Sequence, residues 1–207
     1  MSTISIIGPG NMARLIGIKA VAGGNAVEVI GRDAAKAAAL AKALGGGATT
    51  GTFGAVPAGD IVLLAVKYDS TVPVVTQYGD ALAGKIIVDM SNDPAPGGTG
   101  LMTPEGTSAA QDIAKAAPAS AHVVKAFNAV FGNVLAKDRP LDVLIAGDDA
   151  QAKASVSAFI ESLGLRPLDV GPLAMARWLE GTGLVMMGLG RHGVGNFNFS
   201  LAVNTPG

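Results

Sequence analysis

The feature that most constrains this chain stands at its start. A short apolar run, Ile4–Gly8, predicts a buried strand and gives way at once to Gly8-Pro9-Gly10-Asn11-Met12-Ala13. Asn11–Ala22 then reads as a helix with apolar positions at Met12, Leu15, Ile16 and Ile18, stopped by Gly23-Gly24-Asn25. Small residues at the spacing Gly8-x-Gly10-x-x-Ala13, set between a strand and a helix, have a specific use. Gly8 permits a tight turn, Gly10 lets backbone approach a pyrophosphate, and Ala13 lets the helix pack close on the strand. The helix start adds free N–H groups and a partial positive charge. In that context the spacing predicts dinucleotide binding.

Strand and helix patterns keep alternating beyond this turn. Strands are predicted at Ala26–Ile30, Thr49–Phe53, Asp60–Val66, Lys85–Met90, His122–Phe127, Val143–Ala146 and Arg166–Val170. Helices are predicted at Ala34–Leu44, with Asp33 as N-cap, at Ser70–Tyr78 despite Pro73, at Ser108–Ala116, at Asp149–Leu163, and from Pro172 to about Leu189. Asp60–Val66 is apolar almost throughout, as a strand covered on both faces requires. The alternation specifies an α/β, Rossmann-type, doubly wound and mainly parallel sheet. Residues 1–171 are expected to form this domain. Residues 172–207, a helix and a Gly/Asn/Phe-rich irregular tail, are expected to cap it as part of one unit.

Composition excludes several classes of function. The absence of Cys removes disulfides, thiol catalysis and Cys-ligated metal. A net charge of −1 offers no general attraction to nucleic acid or an anionic membrane. The N-terminus lacks a basic leader and the apolar runs are strand-sized, so a cytoplasmic protein is expected. Charged residues are only 15% of the chain, which suggests that a partner subunit covers part of the surface. Two His without a carboxylate cluster give no metal site, and no Ser–His–Asp arrangement stands out.

The end of the second strand bears on the choice of dinucleotide. An acidic residue there would bond a ribose hydroxyl; this chain has Gly31-Arg32-Asp33, with Lys36 about one helical turn later. Arg32 offers a fork for a 2′-phosphate, so NADP(H) is the expected cofactor, with Asp33 read as a helix cap. The other reading makes Asp33 the ribose ligand and Arg32 a solvated residue. Val66, Lys67 and Tyr68 leave the fourth strand where this topology faces the cofactor, although a strand-exit lysine is equally consistent with plain solvation. Ser91, in Ser91-Asn92-Asp93-Pro94, follows the fifth strand in the same way, and Asp93 reads as an Asx turn. Lys125, in Lys125-Ala126-Phe127-Asn128, is costly inside an apolar strand unless it exits into a cleft or pairs, and a site role is favoured. Asn128 is placed to fix a carboxamide or a flavin-like carbonyl. Trp178 and Met186-Met187 could wall a ring pocket but suit a core equally.

These segments, with Ala146-Gly147-Asp148-Asp149 and the stretch from Gly164 to Leu173, resemble the NADPH:coenzyme F420 oxidoreductase family, in its bacterial Lys-Ala-Phe-Asn form. The resemblance implies hydride transfer between the nicotinamide of NADP(H) and a deazaflavin, and a homodimer. It implies that Pro9, Asn11 and Met12 line the pyrophosphate, that Gly31, Arg32 and Lys36 hold the 2′-phosphate, and that Val66 lies near the nicotinamide. Asn128, Val130 and Phe131 would face the deazaflavin. Archaeal members carry Pro where Lys67 stands and His where Asn128 stands. The version seen here is also similar to the NADPH domain of the six-transmembrane metalloreductases, which pass hydride to a flavin.

Three readings stand at this point: an NADPH-dependent deazaflavin reductase, a reductase of a conventional flavin or of a small imine or carbonyl, and a non-catalytic NADP(H)-binding module. The scarcity of acid–base groups suits hydride transfer between two ring cofactors, where positioning dominates. Gly10→Val should abolish binding of NADPH and NADH alike in a calorimetric titration, by filling the space that a pyrophosphate needs; retained binding would remove the dinucleotide reading.

Overall fold

The computed structural model describes residues 1–204. Strands β1 (Thr3–Ile7), β2 (Ala26–Ile30), β3 (Thr49–Gly51), β4 (Ile61–Leu64), β5 (Ile86–Asp89), β6 (His122–Lys125), β7 (Asp142–Gly147) and β8 (Arg166–Asp169) form one sheet in the order β3-β2-β1-β4-β5-β6-β7-β8. The first six run parallel, with Ile4 opposite Val27 on one side and Ile61 on the other. The chain builds outward from β1 to β3, then crosses back to place β4 on the other flank of β1. The crevice beyond the carboxyl ends of β1 and β4 is therefore a switch point, where open α/β sheets bind ligands.

The period-two alternation of β1 explains why both faces are covered. Ile4 and Ile6 pack with Leu15 and Ile16 of α1 (Asn11–Ala22), Leu40 of α2 (Ala34–Leu44) and Val156, Phe159 and Ile160 of α6 (Ala150–Ser162). Ile7 points the other way. It joins Val62 and Leu64, Val74 and Val75 of α3 (Tyr68–Tyr78), Ile113 of α4 (Ala109–Ala116), and Ala176 of α7 (Ala176–Gly188).

The doubly wound architecture is as expected, with corrections at element ends. β1 stops at Ile7, because Gly8 turns out with φ +104°. β4 ends at Leu64 rather than Val66, and α3 begins at Tyr68 rather than Ser70. β6 ends at Lys125, two residues short of Phe127, whose φ of +62° breaks the extended backbone. Asp33 and Asp149 cap their helices as expected, accepting from the backbone N–H of Lys36 and Ala152. The helix expected from Pro172 begins as a 3-10 turn, Leu173–Met175, before α7.

A short helix, α5 (Gly132–Leu135), was not legible in the sequence. It is the main helical element between β6 and β7. Nothing there is long enough to run back along a sheet face, so β7 returns antiparallel to β6, pairing Ala146 with Lys125. The thirteen residues of α6 do make such a crossover, and β8 lies parallel to β7.

The tail, expected to be irregular from Arg191, opens with a π-helical turn, Leu189–Gly193, and is irregular from there to residue 204; residues 205–207 lie outside the described residues. It is nevertheless tied down. Phe197 and Phe199 pack edge-on to Phe131, at 5.4 and 5.5 Å between ring centres. Arg166 forks onto both carboxylate oxygens of Asp142 at 2.7 Å, and Asp142 also accepts the Val203 N–H at 2.7 Å. The Arg166 hydrogen bonds hold Asp142 below the usual carboxylate range, helped by Val203. A depressed folded pKa means that this anchoring is complete above about pH 3.9 and is lost as pH falls on through the lowered folded pKa. Asp142→Asn should speed endoprotease cleavage near Leu201 at neutral pH, while the parent should show the same acceleration only when acidified well below about pH 3.9, and the variant should change little over that range. Equal pH responses of parent and variant would reject this anchor.

Candidate functional site

The turn after β1 is built by close approaches. The Gly8 N–H bonds the Ile30 carbonyl at 2.8 Å, which ties the turn to the end of β2. A Cβ on Gly8 would lie 2.5 Å from the Ala65 carbonyl oxygen, so only glycine lets the turn sit against the end of β4. A Cβ on Gly31 would lie 3.0 Å from Pro9 Cδ, so Gly31 lets Pro9 close over the end of β2. Gly10 differs: its Cβ would meet nothing within 4 Å. Gly10 is the N-cap of α1, without a side-chain cap, and the first turn holds no acidic residue. The amides at this helix start therefore face open space that an anion can enter.

A cavity of about 410 Å³ follows this turn, bordered by the end of β2, the end of β4 and the first turns of α3. Gly8, Pro9, Gly10, Gly31, Arg32, Asp33, Lys36, Val66 and Lys67 line it, so nine of the residues singled out in the sequence converge. Five more were not singled out as site residues: Ile7, Phe53, Ala65, Ser70 and Val74. Phe53 closes the segment predicted as the third strand, and its ring lies 5.4 Å from the Arg32 guanidinium carbon. Asp33 accepts the Lys36 backbone N–H at 3.1 Å, which holds its pKa below the usual value. The Lys36 ammonium lies 3.4 Å from Asp33 and is well exposed, leaving it free to turn toward a second anion.

Asn11 and Met12 do not line this cavity. They lie beside α5: a Cβ on Gly132 would come within 3.1 Å of Asn11 Nδ2 and 3.4 Å of Met12 Sδ. Tyr68 is half-buried outside the cavity lining; burial, then the charges of Asp93, Asp112 and Glu180, push its phenol up. Ser91 is buried.

The segment after β6 is closed rather than open. Lys125 has no exposed surface. Its Nζ donates to Asp89 at 2.6 Å, to the Ser91 carbonyl at 2.6 Å and to Glu180 at 2.8 Å. Glu180, on α7, also accepts the amides of Ala109 and Ala110 at the start of α4, at 3.2 and 3.4 Å. Burial opposes the Lys125 charge, but Asp89 and Glu180 outweigh it and raise its pKa. Burial likewise raises Glu180, against the pull of Lys125. Asn128 spends its amide N–H groups on Asn92 Oδ1 at 3.0 Å and the Leu179 carbonyl at 2.7 Å. Val130 and Phe131 are half-buried beside it.

Comparison with known proteins separates these two regions. Residues 3–93 match the family model described as NADP oxidoreductase, coenzyme F420-dependent. Through these residues the chain is similar to the F420-dependent NADP oxidoreductases. The match holds the turn, Arg32, Lys36, Lys67 and Ser91, and stops before Lys125. An F420-dependent NADP reductase from Methanocaldococcus jannaschii is 32% identical over 139 residues, 63% of this chain and 62% of that protein. The Metalloreductase STEAP3 of Rattus norvegicus is 34% identical over 183 residues, 86% of this chain but 35% of that protein. This chain thus spans less than two-thirds of either curated relative. A crystal structure from Arthrobacter sp. FB24, provisionally assigned as an F420-dependent NADP-reductase, superposes with a TM-score of 0.83 at 25% identity, covering 98% of this chain and all of that one.

Two expectations change on this geometry. Lys125 pairs and does not reach a cleft, so it supports the site from behind. Asn128 likewise holds the loop after β5 and α7 in register, with its amide donors already spent. The partners of Lys125 were invisible in the sequence, since Glu180 lies 55 residues away. Lys125→Met should cost about 3–5 kcal/mol in urea unfolding, because it strands two buried carboxylates. Adding Asp89→Asn and Glu180→Gln should recover much of the loss. A single-variant cost under about 1 kcal/mol would show that the triad is not stabilising.

Proposed function

We propose that this chain is an NADP-dependent oxidoreductase that moves a hydride between NADP(H) and a deazaflavin of the F420 type. The observation that carries the cofactor half is the cradle itself. Backbone amides with no competing carboxylate stand at the start of α1, and Arg32 stands at the end of β2 where an acidic residue would select NAD. The open space at Gly10 fits a pyrophosphate, and the cavity leads from it to Arg32. In this reading Gly8, Pro9, Gly10, Asn11 and Met12 form the phosphate turn, and Gly31, Arg32 and Lys36 receive the 2′-phosphate. Val66, Lys67, Tyr68 and Ser91 border the nicotinamide side.

When bound, NADPH supplies the hydride from its nicotinamide ring. The protein's part is to align two rings and exclude water, with no proton relay required at the transfer itself. Residues 128–131 are the proposed acceptor side, held by the Lys125 triad and the Asn128 bonds. They follow β6, on the opposite flank of β1 from Arg32, so an acceptor there would meet the nicotinamide end. The F420-dependent relatives and the family match support the deazaflavin. A conventional flavin is the second reading, supported by the likeness to a metalloreductase over 86% of the chain. A homodimer belongs to the same proposal, supported by exposed Trp178, Val185 and Leu189 on and after α7. Cytoplasmic residence is also part of it; among the described residues, no helix is long and apolar enough to cross a membrane.

The test is NADPH oxidation by the purified chain, followed at the nicotinamide absorbance, with the deazaflavin, FMN and FAD offered separately. Fastest turnover with the deazaflavin is expected. Preference for FMN or FAD would transfer the acceptor site to a conventional flavin. Tight NADPH binding with no turnover of any acceptor would support the binding-module reading instead.

A further inference from the structure

Arg32 borders two cavities. The first is the 410 Å³ space beside the turn. The second, about 570 Å³, lies between the start of α2 and the end of β3, against Ala34, Ala37, Thr50, Thr52 and Gln77. Gly31, Arg32 and Phe53 line both, so the Arg32–Phe53 pair is the wall between them. An unrestrained arginine at such a wall has two spaces to sample, and ordering it on a ligand costs side-chain entropy. Among the described residues, the Arg32 guanidinium makes no hydrogen bond or ion pair that would choose between them. What it has is the Phe53 ring, 5.4 Å from centroid to guanidinium carbon. Stacking uses one face of the guanidinium and leaves its N–H edge for a phosphate.

Phe53 is itself fixed. Its ring sits edge-on to Tyr78 at 5.4 Å and 81°. Tyr78 is buried at the end of α3 and belongs to the core on that face of the sheet. A rigid path therefore runs from the core through Tyr78 and Phe53 to Arg32.

We propose that Phe53 sets the preference of this chain for a 2′-phosphorylated dinucleotide, by stacking on Arg32 and holding its guanidinium on the cofactor side of the wall. The inference rests on the NADP reading above and adds to it a positioning residue. A ligand that lacks the 2′-phosphate does not use Arg32, so the loss of Phe53 should discriminate between the two dinucleotides. A merely structural residue would not.

The experiment is calorimetric titration of the purified full chain with NADPH and with NADH at fixed ionic strength. Phe53→Leu keeps an apolar side chain and removes the ring face. It should weaken NADPH by about three- to five-fold while leaving NADH within error. Phe53→Tyr should restore the parent NADPH:NADH ratio. Phe53→Met, an unbranched gap-filler, is the second variant if Phe53→Leu folds poorly, with the same expected outcome. In an Arg32→Ala background, Phe53→Leu should cause no further loss of NADPH. An unchanged NADPH:NADH ratio, or equal weakening of both dinucleotides, overturns the role given to Phe53. Arg32→Ala alone separates the two levels of the argument. If it leaves NADPH binding intact, the NADP reading itself fails. If it weakens NADPH and Phe53→Leu does not, only the role of Phe53 fails.

Discussion

Burying an ammonium group without water is affordable to a fold only when carboxylates meet it at hydrogen-bond distance, and Lys125 meets two. Its three bonds join the end of β5, the loop after it and α7, and Glu180 continues the connection to the first amides of α4. These elements are far apart in sequence, and the loss of Lys125 would strand two carboxylates in the interior. The C-terminal helix is thereby held against the sheet at the end where the strands deliver their loops. Asn128 adds a second tie to α7 through the Leu179 carbonyl.

The candidate site depends on that fixed sheet in a simple geometric way. The dinucleotide turn is made by approaches too close for a side chain, at Gly8 against β4 and at Gly31 against Pro9. Neither approach survives if the strands shift in register. The switch point then separates two flanks of β1. In the proposed function the Arg32 flank, against which Phe53 lies, receives the charged end of the dinucleotide. The segment after β6 is tied from behind by Lys125 and Asn128, and in the proposed function it meets the ring end, where alignment governs the rate.

Much of this was legible in the residues. The Gly8-Gly10-Ala13 spacing, the double-sided apolar strand at β4, and Asp33 as a helix cap all follow from local chemistry, and each stands where expected. The misses have physical causes. Lys125 was read as exiting into a cleft or pairing, with a site role favoured; it pairs, and a strand pattern says nothing of which distant carboxylate arrives. Phe53 was seen only as the end of a weak strand, because a cation–π contact between two loop ends leaves no periodic trace. The antiparallel turn of β7 followed from the shortness of α5, a four-residue helix below the reach of any periodicity. Asn11 and Met12 sit at motif positions yet turn toward Gly132, since α5 occupies the space beside them.

The sequence by itself determined the fold class and the glycine turn between β1 and α1, since these rest on interactions within a few residues: turn glycines, caps and apolar alternation. Only the tertiary structure decided that Lys125 is a buried support, that Phe53 backs Arg32, and that the tail is pinned through Phe131 and Asp142. Those outcomes depend on which side chains meet across the sheet, and pairing over tens of residues is set by packing of the whole core, to which no local pattern has access.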